Sequence, residues 1–326
     1  MQKMKALSLW DRDWIKKERS VTLPTVTFFF FALPRHKGGM MKMSQRKAIT
    51  TQSLRKKKNV GEPIAMITAY DYPSAKIAEQ AGVEVLLVGD SVGTTVLGYE
   101  STIPVTLDDI VHHAKAVCRA VETSMVIADL PFMVAHLSKA EVLKAAGRLM
   151  QEAGVYGVKI EGEAQVLENI RALIQAGIPV MGHIGLMPQS VNQLGGYHVQ
   201  GKDFETAQKL INEARRLEEA GIFALVLECV PEDLAKNIAE QLTIPVIGIG
   251  AGRYVDGQVL VFHDLLGMGG AFAPSFAKRY EEIGKLIEQG IGQFVQEVKR
   301  KKFPEEKHVF RPYAGETGVQ KEKGRG

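Results

Sequence analysis

The stretch Glu79–Asp90, EQAGVEVLLVGD, decides how this chain folds. A helical register ends in Ala81-Gly82, an apolar run follows from Val85 to Val88, and the run stops at Gly89 and a carboxylate. Glycine suits the left-handed residue just past a helix C-terminus. An apolar run without alternation reads as a strand buried on both faces. The phrase returns as QEAGVYGVKIE (Gln151–Glu161), IQAGIPVMGH (Ile174–His183) and EEAGIFALVLE (Glu218–Glu228), each ending on a polar residue. These are βα units. Further strands are predicted at Ala65–Thr68, Met125–Ala128, Val246–Ile249 and Val259–Phe262, which brings the total to eight. The intervening helices carry their own signals: Ser138 with Glu141 three later forms a capping box, and Thr106 before Asp108 and Asp109 opens another helix.

Eight strands alternating with helices predict an α/β fold, a (β/α)8 TIM barrel, with an open doubly wound sheet as the alternative. At 326 residues and 45% hydrophobic the chain can bury a large core, and no Pro/Gly/Ser-rich linker divides it. Residues 44–303 are predicted as a single catalytic domain, 1–43 as an N-terminal extension and 304–326 as a flexible tail. In the extension, TVTFFFFALPRHK is too short to span a membrane and lies behind acidic Asp11, Asp13 and Glu18. Met40, Met41 or Met43 is the expected translation start. Lys and Arg exceed Asp and Glu by 41 to 37, with the excess gathered near the ends (Lys42, Arg46, Lys47, Arg55–Lys58, Lys299–Lys302), which reads as solvated tails. No aromatics interleave with these charges, so nucleic acid is not an expected partner. Two cysteines, Cys118 and Cys229, lack metal-ligand spacing and fit a reducing cytoplasm, and Cys229 reads as a small buried side chain sooner than as a nucleophile.

Barrels of this type place their active sites at the C-terminal ends of the strands. There the runs stop at Asp90 and Ser91 (strand two), Asp129 (three), Lys159 and Glu161 (four), His183 (five) and Glu228 (six). Singly, each is explained by a helix cap or a satisfied core histidine. Together they put four carboxylates, one cation and one imidazole at one mouth, and so much negative charge calls for a bound cation. Oxygen donors favour Mg²⁺ over zinc. Period-two alternation sends Lys159 and Glu161 to the same side, with Ile160 facing away. Such a site suits a 2-oxo acid and the enolate formed when a neighbouring proton leaves, with Glu228 as base. Lys159 either pairs with the substrate's charge or forms a Schiff base, although the carboxylate cluster argues against the second role. GIGAGRYVDG after strand seven reads as a phosphate-cradling loop or as a tight turn. GLMPQSVNQLGGYHVQGK (Gly185–Lys202) is long for a βα loop and reads as a mobile lid.

Seven stretches carry a resemblance: MITAYDYPSAKIAEQAGV, LLVGDSVG, VLGYESTIPVTL, LPFM, PQSVNQLGGYHVQGK, LVLECVP and IGIGAGRYVDGQVLVFHDLLGM. In these the chain resembles the ketopantoate hydroxymethyltransferase family, from about Ile64 to Phe310. The resemblance implies a barrel of the phosphoenolpyruvate/pyruvate type. It also implies transfer of the one-carbon unit of 5,10-methylenetetrahydrofolate to 3-methyl-2-oxobutanoate through an Mg²⁺-stabilised enolate, giving 2-dehydropantoate and tetrahydrofolate. It makes Asp90, Asp129 and Glu161 the Mg²⁺ positions, Ser91 and Lys159 contacts to the oxo acid, Glu228 the proton acceptor, and His183 a neighbour of the substrate without a settled role. The departures are mild: Thr94 and Thr95 replace larger apolar residues, and Met187 and His198 stand where Thr and Lys are usual. A large homo-oligomer, a decamer, is the family's habit, and Lys278–Arg300 is the expected interface helix. The alternative, an Mg²⁺-dependent carbon–carbon lyase or mutase acting on a small 2-oxo acid, would be expected to carry a lid cysteine, and none lies between Cys118 and Cys229.

Overall fold

The structure, a computed structural model, describes residues 46–269 and 274–311. The described residues belong to one compact unit. The expected extension and its start codon lie outside the described residues, as does the tail beyond residue 311. Of that tail, the described part includes a short 3₁₀ turn, Glu306–His308.

In chain order the elements are α1 (Thr51–Val60), β1 (Ile64–Thr68), α2 (Tyr72–Ala81), β2 (Val85–Val88), the single turn α3 (Val92–Thr95), α4 (Leu107–Ala120), β3 (Met125–Asp129) and α5 (Lys139–Arg148). They continue with β4 (Gly157–Glu161), α6 (Leu167–Gln175), β5 (Val180–Gly185), the single turn α7 (Val191–Leu194), α8 (Phe204–Ala220), β6 (Ala224–Glu228), α9 (Glu232–Gln241), β7 (Val246–Ile249), β8 (Gly257–Leu260), α10 (Phe262–Leu265) and α11 (Ile283–Lys299). The strands close in sequence order into a barrel in which every pair is parallel, which excludes the open sheet.

Local chemistry explains the repeat. The glycines of the four Ala-Gly phrases all have positive φ, 102° at Gly82, 79° at Gly154, 84° at Gly177 and 101° at Gly221, a conformation that costs other residues energy. Thr106 and Ser138 open α4 and α5 with the predicted capping boxes, to Asp109 and Glu141. Along each strand the side chains then alternate between two cores. Met66, Val85, Leu87, Met125, Ile127, Met181, Val226 and Ile247 join one cluster inside the barrel. Leu86, Val88, Val126, Val158, Ile160, Val180, Ile184, Leu225 and Leu227 join the layer between strands and helices. Leu54 of α1, 1% exposed, packs with the inner cluster.

Three expectations change. Strand eight spans Gly257–Leu260, not Val259–Phe262, because Gly257 pairs with both Ile64 and Ile247. Phe262 instead begins α10, its amide donating to Thr68 Oγ1 at 3.0 Å. No helix separates β7 from β8, so alternation fails at that one step. Two of the lysines of α1 are drawn into ion pairs: Lys57 pairs with Glu62 and Glu84, and Lys58 with Asp256 at 2.7 Å. Among the described residues no helix is long and apolar enough to cross a membrane.

Candidate active site

Parallel register stacks the polar strand ends at one mouth. Asp129 pairs with Lys159, Glu161 with His183, and Gly185 with Glu228. Lys159 and Glu161 alternate with Val158 and Ile160, which belong to the outer layer, so both point inward as the period-two rule requires. At the end of β2, Gly89 leaves room: a Cβ there would meet Ser91 Oγ at 3.0 Å and Asp129 Oδ2 at 3.3 Å. The chain then turns, and the Asp90 amide donates to Asp129 Oδ2 at 2.9 Å.

The six charged candidates converge. Lys159 Nζ lies 3.1 Å from Asp129 Oδ1, 3.5 Å from Glu161 Oε1 and 3.2 Å from His183 Nδ1. His183 lies between two carboxylates, with Nδ1 3.2 Å from Glu161 Oε1 and Nε2 3.3 Å from Glu228 Oε2. All are buried except Glu228, whose side chain is 15% exposed at the rim. Ser91 shares a 2.8 Å hydrogen bond with the hydroxyl of buried Tyr70.

Burial and mutual repulsion set the charges. Burial, then Glu161 and Asp129, push Asp90 well above the ordinary carboxylate range, and burial raises Asp129 as well. Burial opposes ionisation of Glu161 too, but Lys159 and His183 outweigh it and hold this carboxyl down at about 2. Lys159 resists burial through Asp129, Glu161 and Asp90 and is raised above its usual value. Burial and Lys159 act to lower His183, yet its carboxylate neighbours Glu161 and Glu228 lift it to about 9.

The structure adds two residues that sequence reasoning missed, Tyr70 and Gln189. Gln189, 8% exposed, donates its side-chain amide to Asp90 Oδ2 at 2.8 Å and to the Leu130 carbonyl at 3.1 Å. Its backbone amide donates to Glu161 Oε2 at 3.1 Å. It sits in the predicted lid, which folds into a 3₁₀ turn (Pro188–Ser190) and α7. Both ends of that loop are pinned beside Glu228: Leu186 N donates to the Glu228 carbonyl and Gln200 N to the Cys229 carbonyl, each at 2.8 Å. Cys229 is buried, as expected of a small apolar residue, and burial pushes its thiol to about 11; Cys118 reaches the same value for the same reason. No helix N-terminus follows GIGAGRYVDG. Its Gly250 and Gly252 instead admit close neighbours: a Cβ would meet Phe276 at 2.9 Å and Glu232 at 2.4 Å.

A divalent cation fits this chemistry. Among the described residues the cations paired with Asp129, Glu161 and Glu228 are Lys159 and His183, so with Asp90 the carboxylates outnumber their cationic partners. Asp129 Oδ1 is buried without an aligned hydrogen-bond donor, Lys159 notwithstanding. Among the described residues no three His, Cys, Asp or Glu side chains are drawn together as a finished cage. An open oxygen site that relies on substrate and water suits Mg²⁺.

Comparison with known proteins follows the same line. The profile of the ketopantoate hydroxymethyltransferase family matches residues 48–306. A protein from Carboxydothermus hydrogenoformans named 3-methyl-2-oxobutanoate hydroxymethyltransferase is 58% identical over 262 residues, 80% of this chain and 95% of its own. One of the same name from Geobacillus kaustophilus is 56% identical over 253 residues, 78% and 91% of the two chains. In fold, the chain is similar to 2,3-dimethylmalate lyase, a PEP mutase/isocitrate lyase superfamily member, with a TM-score of 0.50 at 18% identity, covering 80% of this chain and 91% of that one. With a profile matched across most of its length and relatives this similar, the chain belongs to the ketopantoate hydroxymethyltransferase family of enzymes.

Proposed function

We propose that the chain transfers the one-carbon unit of 5,10-methylenetetrahydrofolate to C3 of 3-methyl-2-oxobutanoate, giving 2-dehydropantoate and tetrahydrofolate, as a cytoplasmic homo-oligomer. Beyond family membership, one observation carries this reading: Glu228, partly open to solvent, shares a mouth with three buried carboxylates and lies 3.3 Å from His183 Nε2. Asp90, Asp129 and Glu161 would hold Mg²⁺, and bound there it would supply a hard Lewis acid to the 2-oxo acid.

The side chains divide the remaining work. Glu228 takes the C3 proton, and the His183 imidazolium holds its carboxylate in place. Lys159 offsets the negative charge that gathers on the keto oxygen as the proton leaves. Ser91, its hydroxyl fixed by Tyr70, contacts the acid. C3 then bonds to the folate methylene carbon and water adds its oxygen there as the hydroxyl, while both carbon–nitrogen bonds of that carbon break and the C3 proton and one water proton end on the two folate nitrogens.

The test is isotopic. With Mg²⁺ and C3-deuterated acid in ordinary water, the enzyme should wash out the label without folate, and with folate it should release a product of 2-dehydropantoate mass. Glu228→Gln should slow wash-out by about a hundredfold or more. Unimpaired wash-out removes Glu228 as the base.

A further inference from the structure

Gln189 belongs to no step of the chemistry above, yet it is the point at which the lid meets the carboxylates. It lies 99 residues from Asp90 and 28 from Glu161 in sequence, and it is bonded to both. Pro188 restricts the backbone just before it, within the 3₁₀ turn Pro188–Ser190. Its neighbours Met187, Ser190 and Gln193 line a cavity of about 460 Å³, as do Glu163 and Lys209. The loop thus touches the carboxylate cluster through Gln189 and lines that cavity through its neighbours.

We propose that Gln189 is a positioning residue that couples cation occupancy of the cluster to the order of the 186–202 loop. The inference rests on the Mg²⁺ site proposed above. A carboxylate oxygen has room for two partners, so Asp90 Oδ2 and Glu161 Oε2 can keep their bonds to Gln189 while a cation draws on the same groups. Without the cation, the crowding of Asp90, Asp129 and Glu161 is offset only in part by Lys159, so the groups that Gln189 grips are held less firmly than with it. With it, the repulsion is relieved and the anchors stand still. Conversely, the amide of Gln189 aims Asp90 and favours its charged form, as outer partners of metal ligands do. The cavity wall therefore follows the state of the cluster.

Two measurements on the full chain test this. In hydrogen exchange, Mg²⁺ should slow the amides of residues 187–194 at least fivefold relative to chelator, the Gln189 amide most of all. In calorimetry, Gln189→Met, which keeps the length of the side chain and removes its donor, should bind Mg²⁺ about tenfold more weakly. Should that variant misfold, the exchange comparison on the unaltered chain carries the test alone. If Mg²⁺ binds with heat but leaves loop exchange unchanged, the coupling is wrong and the proposed function stands. If no Mg²⁺ binds at all, the metal site fails and the coupling fails with it.

Discussion

Lys159 is the residue on which the site's charge balance turns. Its ammonium lies among three buried carboxylates, and removing one partner of a buried ion pair leaves charge uncompensated. Lys159→Met should therefore lower stability by about 3–5 kcal/mol at pH 7 in denaturant unfolding. The carboxylates left behind would have raised folded pKa values, so their cost appears above those values and fades as pH falls. The deficit should shrink towards pH 5, and on adding Mg²⁺. A deficit indifferent to both would mean that Lys159 acts by packing alone. The residues of this cluster were legible because strand ends and period-two alternation are local signals: Asp90, Asp129, Lys159, Glu161, His183 and Glu228 each terminate an apolar run. Tyr70 and Gln189 were not, since one reaches Ser91 from the loop after β1 and the other arrives by the fold of a long loop, and neither path leaves a spacing in the sequence.

Elements show the same division. Strands and their glycine caps were readable because both depend on neighbours a few positions away. Where β8 begins depends on its pairing with β1 and β7, and VLVF continues its apolar run past the true end. The missing helix before it was hidden by GIGAGRYVDG, whose glycines mimic a ligand loop while serving close packing. Between elements, Glu79 is the clearest fastener. From inside α2 its Oε1 accepts from the backbone amides of Glu122, Thr123 and Ser124, the loop that feeds β3, at 2.7, 2.7 and 3.1 Å. Burial opposes its charge, but those amides prevail and hold the carboxyl below its usual value. Glu79→Ala should cost about 2–4 kcal/mol by leaving buried donors unmet. Because the folded pKa is depressed, the stabilisation is whole above the unfolded value of about 4.3 and drains away as pH falls through the folded one. Acid unfolding of Glu79→Gln, followed by circular dichroism, should lack that component.

At the level of the molecule, α11 is the unfinished surface. None of its residues is buried, and Ile287, Ile291, Phe294, Val295 and Val298 form one apolar stripe at helical spacing, with Leu286 beside it. Exposed apolar patches of this kind mark interfaces. The proposed homo-oligomer places a second copy of the chain against this stripe, on a helix that is Ile283–Lys299 instead of the expected Lys278–Arg300. Ile291→Asp with Phe294→Asp should shift the sedimentation coefficient to that of smaller species while far-ultraviolet dichroism is retained. A wild-type chain that already sediments as a monomer would sink the proposal.

The two high thiol values offer an experimental handle. At pH 7 a thiol titrating at about 11 is thiolate in roughly one molecule in ten thousand, against a few per cent for an ordinary cysteine. Cys118 and Cys229 should thus be nearly silent to maleimides. A cysteine introduced at exposed Asn192, on the loop that Gln189 anchors, would take a fluorophore by itself, and the native sequence could then report the loop's movement in real time without prior removal of its own sulfurs.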